Sequence, residues 1–236
     1  MTLVLAIPCS DGVVLASDGQ ITMGNVRAVG QKLYRLNNYC AWGASGELAL
    51  IQRVQQAISS LDDRHLSEFS DILANIIRNC VLNLIQLDFR TQFFQNNPDA
   101  LLQLHQGDFV FVDSRQPQYR ILHITSYGTP EWIDRPFASG NGAMFAYALL
   151  QKYQGMEMVL QQANILAFKV IEEAIDVGSY GLGMPINIWN VKPSNVQELS
   201  ENQLAAVADA ATQLREAEIQ LLFGGPSTGG RIDRMP

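Results

Sequence analysis

A chain of 236 residues with 47% hydrophobic and 17% charged side chains is too apolar to be a disordered polymer and long enough to bury a sizeable core. Its net charge of -7 argues against the basic face of a nucleic-acid binder, and no apolar run reaches the roughly 18 residues of a membrane span. Three cysteines, Cys9, Cys40 and Cys80, make neither a CxxC pair nor an even set, which points to buried thiols in a reducing compartment.

The first apolar run, Thr2 to Ile7, is followed by the turn signal Ser10-Asp11-Gly12 and a second run, Gly12 to Ala16. This predicts a β-hairpin, and the lack of strict alternation predicts strands covered on both faces. The start of the chain lacks the basic region and long apolar stretch of a secretory signal, so a cytoplasmic protein is expected. A second hairpin is expected from Lys32–Leu36 and Tyr39–Ala44, turning at Asn37-Asn38. The period then becomes helical, over Gly46 to about Leu61 and over Leu66 to about Phe89. In the second helix Phe69, Ile72, Leu73, Ile76, Ile77, Cys80, Val81 and Leu84 mark one stripe, with Ser67 as the expected N-cap. Thr91 to Gln106 reads as a helix extension and loop.

Strands are expected again at Asp108–Asp113 and Tyr119–Thr125, with a third from Glu131 to Ala138. Helices over Gly142–Tyr153 and Met158–Val177 follow, then a strand at Pro185–Val191 and a last helix over Asn202–Leu222. The Gly- and Pro-rich end, residues 224–236, reads as a flexible tail. Strands and helices come in clusters, which indicates an α+β class rather than βαβ units. Strands apolar on both faces fit a four-layer αββα sandwich: two packed antiparallel sheets covered by helices, in one domain.

The chemistry starts at Met1-Thr2. Met is removed when the next residue is small, which would leave Thr2 with a free α-amine beside its hydroxyl. An α-amine titrates near 7.7–8.0, about where it can accept the hydroxyl proton, so one residue can be nucleophile and base. Asp18, at the end of a strand expected to be buried, needs a partner. Lys32 opens the next strand in Gly30-Gln31-Lys32-Leu33-Tyr34, and Trp42-Gly43-Ala44-Ser45-Gly46-Glu47 leads from a strand into a helix with backbone N–H groups suited to an oxyanion hole. The histidines His65, His105 and His123 have no metal-ligand spacing. Neither Gly43–Gly46 nor Gly140–Gly142 completes a nucleotide-binding glycine motif.

These residues resemble the proteasome β-subunit and HslV peptidase family, the threonine-type N-terminal nucleophile hydrolases. The resemblance is dense over Thr2 to Glu47, with Ala16-Ser17-Asp18-Gly19-Gln20 and Thr22-Met23-Gly24-Asn25 close to HslV, and looser over Phe137 to Val191. It implies an N-terminal-nucleophile-hydrolase fold with Thr2 as nucleophile, Asp18 as the acid, Lys32 as the lysine and Gly43 as the oxyanion donor. It further implies that Asp176 and Ser179 help hold the amino terminus. Asn141 stands where the family usually has serine, in Gly140-Asn141-Gly142, and Ser139 is one place off. Ala41 would form the floor of the specificity pocket. No metal or organic cofactor is implied. The expected partners are a peptide or unfolded-protein substrate, further copies in homo-oligomeric stacked rings and an unfolding ATPase. The alternatives are a catalytically silent ring subunit with a structural role, and a small-molecule amidase on the same fold.

Overall fold

The computed structural model describes residues 2–23, 26–59, 61–88, 90, 105–118, 120–177 and 181–224. The first hairpin is β1 (Leu3–Cys9) and β2 (Gly12–Asp18), and every residue of β2 is buried. β1 and β2 sit inside a five-stranded sheet with β10 (Phe137–Gly140), β11 (Ile186–Val191) and β12 (Val196–Glu198), in the order β10-β1-β2-β11-β12. The second sheet has the order β5-β6-β7-β8-β9, made by β5 (Leu33–Arg35), β6 (Cys40–Gly46), β7 (Gly107–Asp113), β8 (Ile121–Thr125) and β9 (Pro130–Ile133). All neighbouring strands in both sheets pair antiparallel.

The two sheets pack face to face. Val4, Ala6, Val13 and Leu15 of the first sheet meet Leu33, Ala41, Val110 and Val112 of the second. Side chains alternate across a strand, so Leu3, Leu5 and Ile7 point the other way. They pack under α3 (Ala143–Leu150) and α4 (Leu160–Asp176). On the far side, Trp42, Phe109 and Phe111 pack under α1 (Leu48–Ile58) and α2 (Leu66–Asp88). The result is the four-layer αββα sandwich expected from strands apolar on both faces. A last helix, α5 (Glu201–Phe223), lies on α4 through the ion pairs Arg215–Glu172 and Lys169–Glu218.

Several local expectations are corrected. The strand expected over Glu131–Ala138 is two strands, β9 and β10, in different sheets. Pro136 lies between them, has no N–H to donate to a ladder, and marks where the chain crosses over. A third hairpin, β3 (Gln20–Met23) and β4 (Val26–Val29), is absent from the expectations, because its strands are only four residues each and Thr22 and Arg27 interrupt their apolar positions. The edge strand β12 escapes because it is short as well. Ser67 is not the cap of α2. It lies inside the first turn and donates to Gln116, while the Leu66 N–H donates to the Asp113 carboxylate. The helix expected over Gly142–Tyr153 ends at Leu150 and tightens into a 3-10 turn over Gln151–Tyr153. The expectations for Thr91–Gln106 up to position 104, and for the tail beyond Gly224, lie outside the described residues.

Candidate active site

Thr2 enters β1 directly, and the alternation of that strand gives it the parity of Val4 and Ala6, whose side chains face the interior between the sheets. A cavity of about 270 Å³ opens beside it. Thr2, Lys32, Tyr34, Gly46 and Glu47 are among the residues lining it, with Ile21, Leu48 and Ile51 giving apolar wall. The cavity therefore gathers residues from both sheets, the β3–β4 hairpin and the start of α1.

Asp18 ends β2 with no exposed surface. Its carboxylate is nevertheless fully served. Oδ1 accepts the Leu3 N–H at 2.9 Å and the Lys32 ammonium at 2.7 Å. Oδ2 accepts the Gln20 N–H at 3.3 Å and the Gly183 N–H at 3.2 Å. A buried carboxylate is tolerable only with such partners. Lys32, 5% exposed, has its pKa lowered below the ordinary lysine value: burial disfavours its charge, and the Asp18 carboxylate pulls the other way. Lys32 is thus held by the same carboxylate oxygen that fixes the backbone of the residue after Thr2.

Gly140 is held at φ +94°, in the left-handed region, and a Cβ on it would stand 2.1 Å from the Thr2 carbonyl oxygen. This explains the glycine of Gly140-Asn141-Gly142: the backbone of β10 presses on Thr2. Asn141 is exposed, one residue past the Leu3–Gly140 pair. Ser139 is buried, and its hydroxyl is 3.0 Å from that of Ser45, a contact between the two sheets.

Four of the candidate residues are placed apart from the cavity or lie outside the described residues. Gly43 is in mid-ladder opposite Leu33 and Val110, with Leu33 and Val4 side chains closing the space above its Cα. Because Ala44 N–H donates to the Lys32 carbonyl, ladder parity turns the Gly43 N–H toward β7. Gly46, at the open end of the same strand, lines the cavity instead. Asp176 ends α4 on the outer face, 62% exposed and 3.9 Å from Arg215 of α5. Ser179 lies outside the described residues. Ala41 has no exposed surface and belongs to the core between the sheets, so it is not a wall of this cavity.

Sequence reasoning missed the link from Glu47 through His105 to Asp88. His105 Nδ1 is 2.5 Å from Glu47 Oε2, and Nε2 is 2.7 Å from Asp88 Oδ2. No spacing signal could have found it, since the three residues come from the start of α1, the end of α2 and the approach to β7. Among the described residues no cluster of His, Cys, Asp or Glu could hold a metal ion, and no helix is long and apolar enough to cross a membrane.

The proteasome subunit family model matches residues 2–95 of the chain. A proteasome subunit beta of Nanoarchaeum equitans is 29% identical over 206 residues, covering 84% of this chain and 97% of the relative. One from Methanococcus aeolicus is 21% identical over 210 residues, covering 88% and 92%. Among solved structures, the Anbu complex of Pseudomonas aeruginosa, described as a helical assembly, matches with a TM-score of 0.74 at 17% identity, over 98% of this chain and 100% of that one. Anbu (ancestral beta-subunit) from Yersinia bercovieri matches with a TM-score of 0.72 at 13% identity, over 97% and 100%. The matched family segment holds Thr2, Asp18 and Lys32, and the structural likeness spans both sheets and their helices. The chain is similar to the proteasome β subunits over most of its length and shares the αββα fold of the Anbu structures.

Proposed function

We propose that the protein is a threonine peptidase that hydrolyses peptide bonds with Thr2, exposed by removal of Met1, as its nucleophile. The observation that carries this is the meeting of Thr2 and Lys32 at one cavity, with Asp18 Oδ1 accepting from both the Leu3 N–H and the Lys32 ammonium.

The chemistry follows from the groups present. The α-amine of Thr2, neutral in good part at about pH 8, takes the hydroxyl proton as Oγ attacks the scissile carbonyl. Lys32, when charged, lowers the cost of negative charge on Oγ, and its pairing with Asp18 keeps the ammonium in place. We assign the oxyanion to the Gly46 end of β6, which lines the cavity, and not to Gly43. The amine returns its proton to the leaving nitrogen, and water then releases the acyl group from Oγ. The proteasome subunits and the Anbu complex among the relatives support an assembly of several copies that confines the site, with peptides or unfolded chains as substrate. Cys9, Cys40 and Cys80 stand as free thiols, which supports a reducing compartment such as the cytoplasm.

A second reading, a silent subunit of such an assembly, draws on Asn141 and on the outward-facing Asp176. One experiment separates the two. Intact mass is measured after incubation with a peptide epoxyketone, with Thr2→Ala alongside. Loss of Met1 and a single adduct on the wild type alone supports the peptidase. A processed chain that takes no adduct sinks it and favours the silent subunit.

A further inference from the structure

Glu47 occupies the N-cap position of α1, where short Ser, Thr, Asp and Asn side chains are preferred because they reach back to the first free N–H groups. Glu47 does not cap: its side chain makes no hydrogen bond to the helix. It is held elsewhere. His105, with a side chain only 3% exposed, bonds Glu47 Oε2 on one ring nitrogen and Asp88 Oδ2 on the other. The carboxylate is thus anchored by one oxygen in the cavity wall, and Oε1 is left with no partner among the described residues.

Lys32 is matched by Asp18 at 2.7 Å. Glu47 bonds the imidazole of His105, which bonds Asp88 in turn, and no lysine or arginine is paired with Glu47 among the described residues. The rest of the wall near Glu47 is Ile21, Leu48 and Ile51, with Tyr34 stacked on Trp42 at 4.5 Å. At about 270 Å³ the space is smaller than a whole-ligand pocket and suits one side chain. A long aliphatic stem ending in a cation matches it: apolar wall along the stem and an unpartnered carboxylate oxygen at the head.

We propose that Glu47, positioned by His105 and Asp88, is the specificity-determining residue of the Thr2 cavity and selects peptide substrates that present a lysine or arginine side chain next to the scissile bond. This rests on the peptidase reading of the same cavity.

The test compares fluorogenic peptides that differ only in the residue before the scissile bond, arginine against norleucine. It uses the wild type, Glu47→Gln and Glu47→Ala. The wild type is expected to favour arginine about tenfold or more in kcat/KM, mainly through KM, as a charge-assisted contact implies. Both variants are expected to lose that preference. A structural role for Glu47 would lower both substrates together and keep their ratio, which overturns the proposal. So does a wild type that prefers norleucine. A wild type that takes an epoxyketone adduct on Thr2 yet shows no cationic preference overturns this inference and leaves the peptidase reading standing. Absence of both adduct and turnover overturns the two together.

Discussion

Lys32 Nζ lies 2.7 Å from Asp18 Oδ1, the same oxygen that accepts the N–H of Leu3 at 2.9 Å. One buried carboxylate therefore ties the lysine of the second sheet to the first strand of the other sheet, next to Thr2. The site and the inter-sheet packing are parts of one structure, and changes to either reach the other.

Asp18→Asn tests this tie. The amide keeps one acceptor oxygen but presents an NH2 group to donors that need an acceptor, and it leaves Lys32 buried without its counter-charge. Loss of one partner of a buried pair costs about 3–5 kcal/mol. Urea unfolding should show a midpoint shift of that size without a change in slope. A loss below about 1 kcal/mol would mean that the tie is not needed.

The lowered pKa of Lys32 has a pH consequence. Burial, opposed by Asp18, holds it below the ordinary 10.5, so near the top of that range the unfolded chain binds this proton more readily than the folded one. Its contribution to stability therefore rises with pH between the folded value and 10.5, by up to about 1.4 kcal/mol per pH unit, and below that window is a constant cost. Urea midpoints of wild type and Lys32→Met, taken from about pH 8 to about pH 10, check this. The variant should lack the rising contribution, and parallel curves would contradict the assignment.

Gly140→Ala forces a Cβ to within 2.1 Å of the Thr2 carbonyl oxygen from a backbone held at φ +94°. Strain of this kind costs about 1–3 kcal/mol, and here it pushes on Thr2 itself. A lower Tm together with slower epoxyketone labelling is expected. Wild-type values for both would show that β10 does not set the place of Thr2.

The thiols should separate cleanly. Burial, helped by Asp11, pushes the Cys9 thiol up to about 12, and burial with Asp113 pushes Cys40 up as well. Cys80 is also raised by burial, but is only partly buried on α2. Under native conditions near pH 8 a disulfide reagent should modify Cys80 alone, and all three thiols only after unfolding. Fast native labelling of Cys9 or Cys40 would contradict the packed cores around them.

The residue pattern by itself determined the αββα class. Runs such as Gly12–Asp18 carry apolar side chains on both faces and need cover on both, and the stripe through Phe69, Leu73 and Ile77 has only one helical face to bury. It also pointed to Thr2, Asp18 and Lys32, because an acid at the end of a buried strand demands a partner. The tertiary structure alone decided what faces the cavity. Gly43 and Gly46 lie on one strand three residues apart, yet ladder pairing packs the first and opens the second. Asp176 faces outward, 3.9 Å from Arg215, a neighbour 39 positions further on that no local pattern announces. Glu47, His105 and Asp88 met only because β7 runs beside β6 while α2 covers both. Local periodicity records which face of an element is apolar. Which polar groups are brought together depends on long-range packing, and that leaves no spacing in the chain.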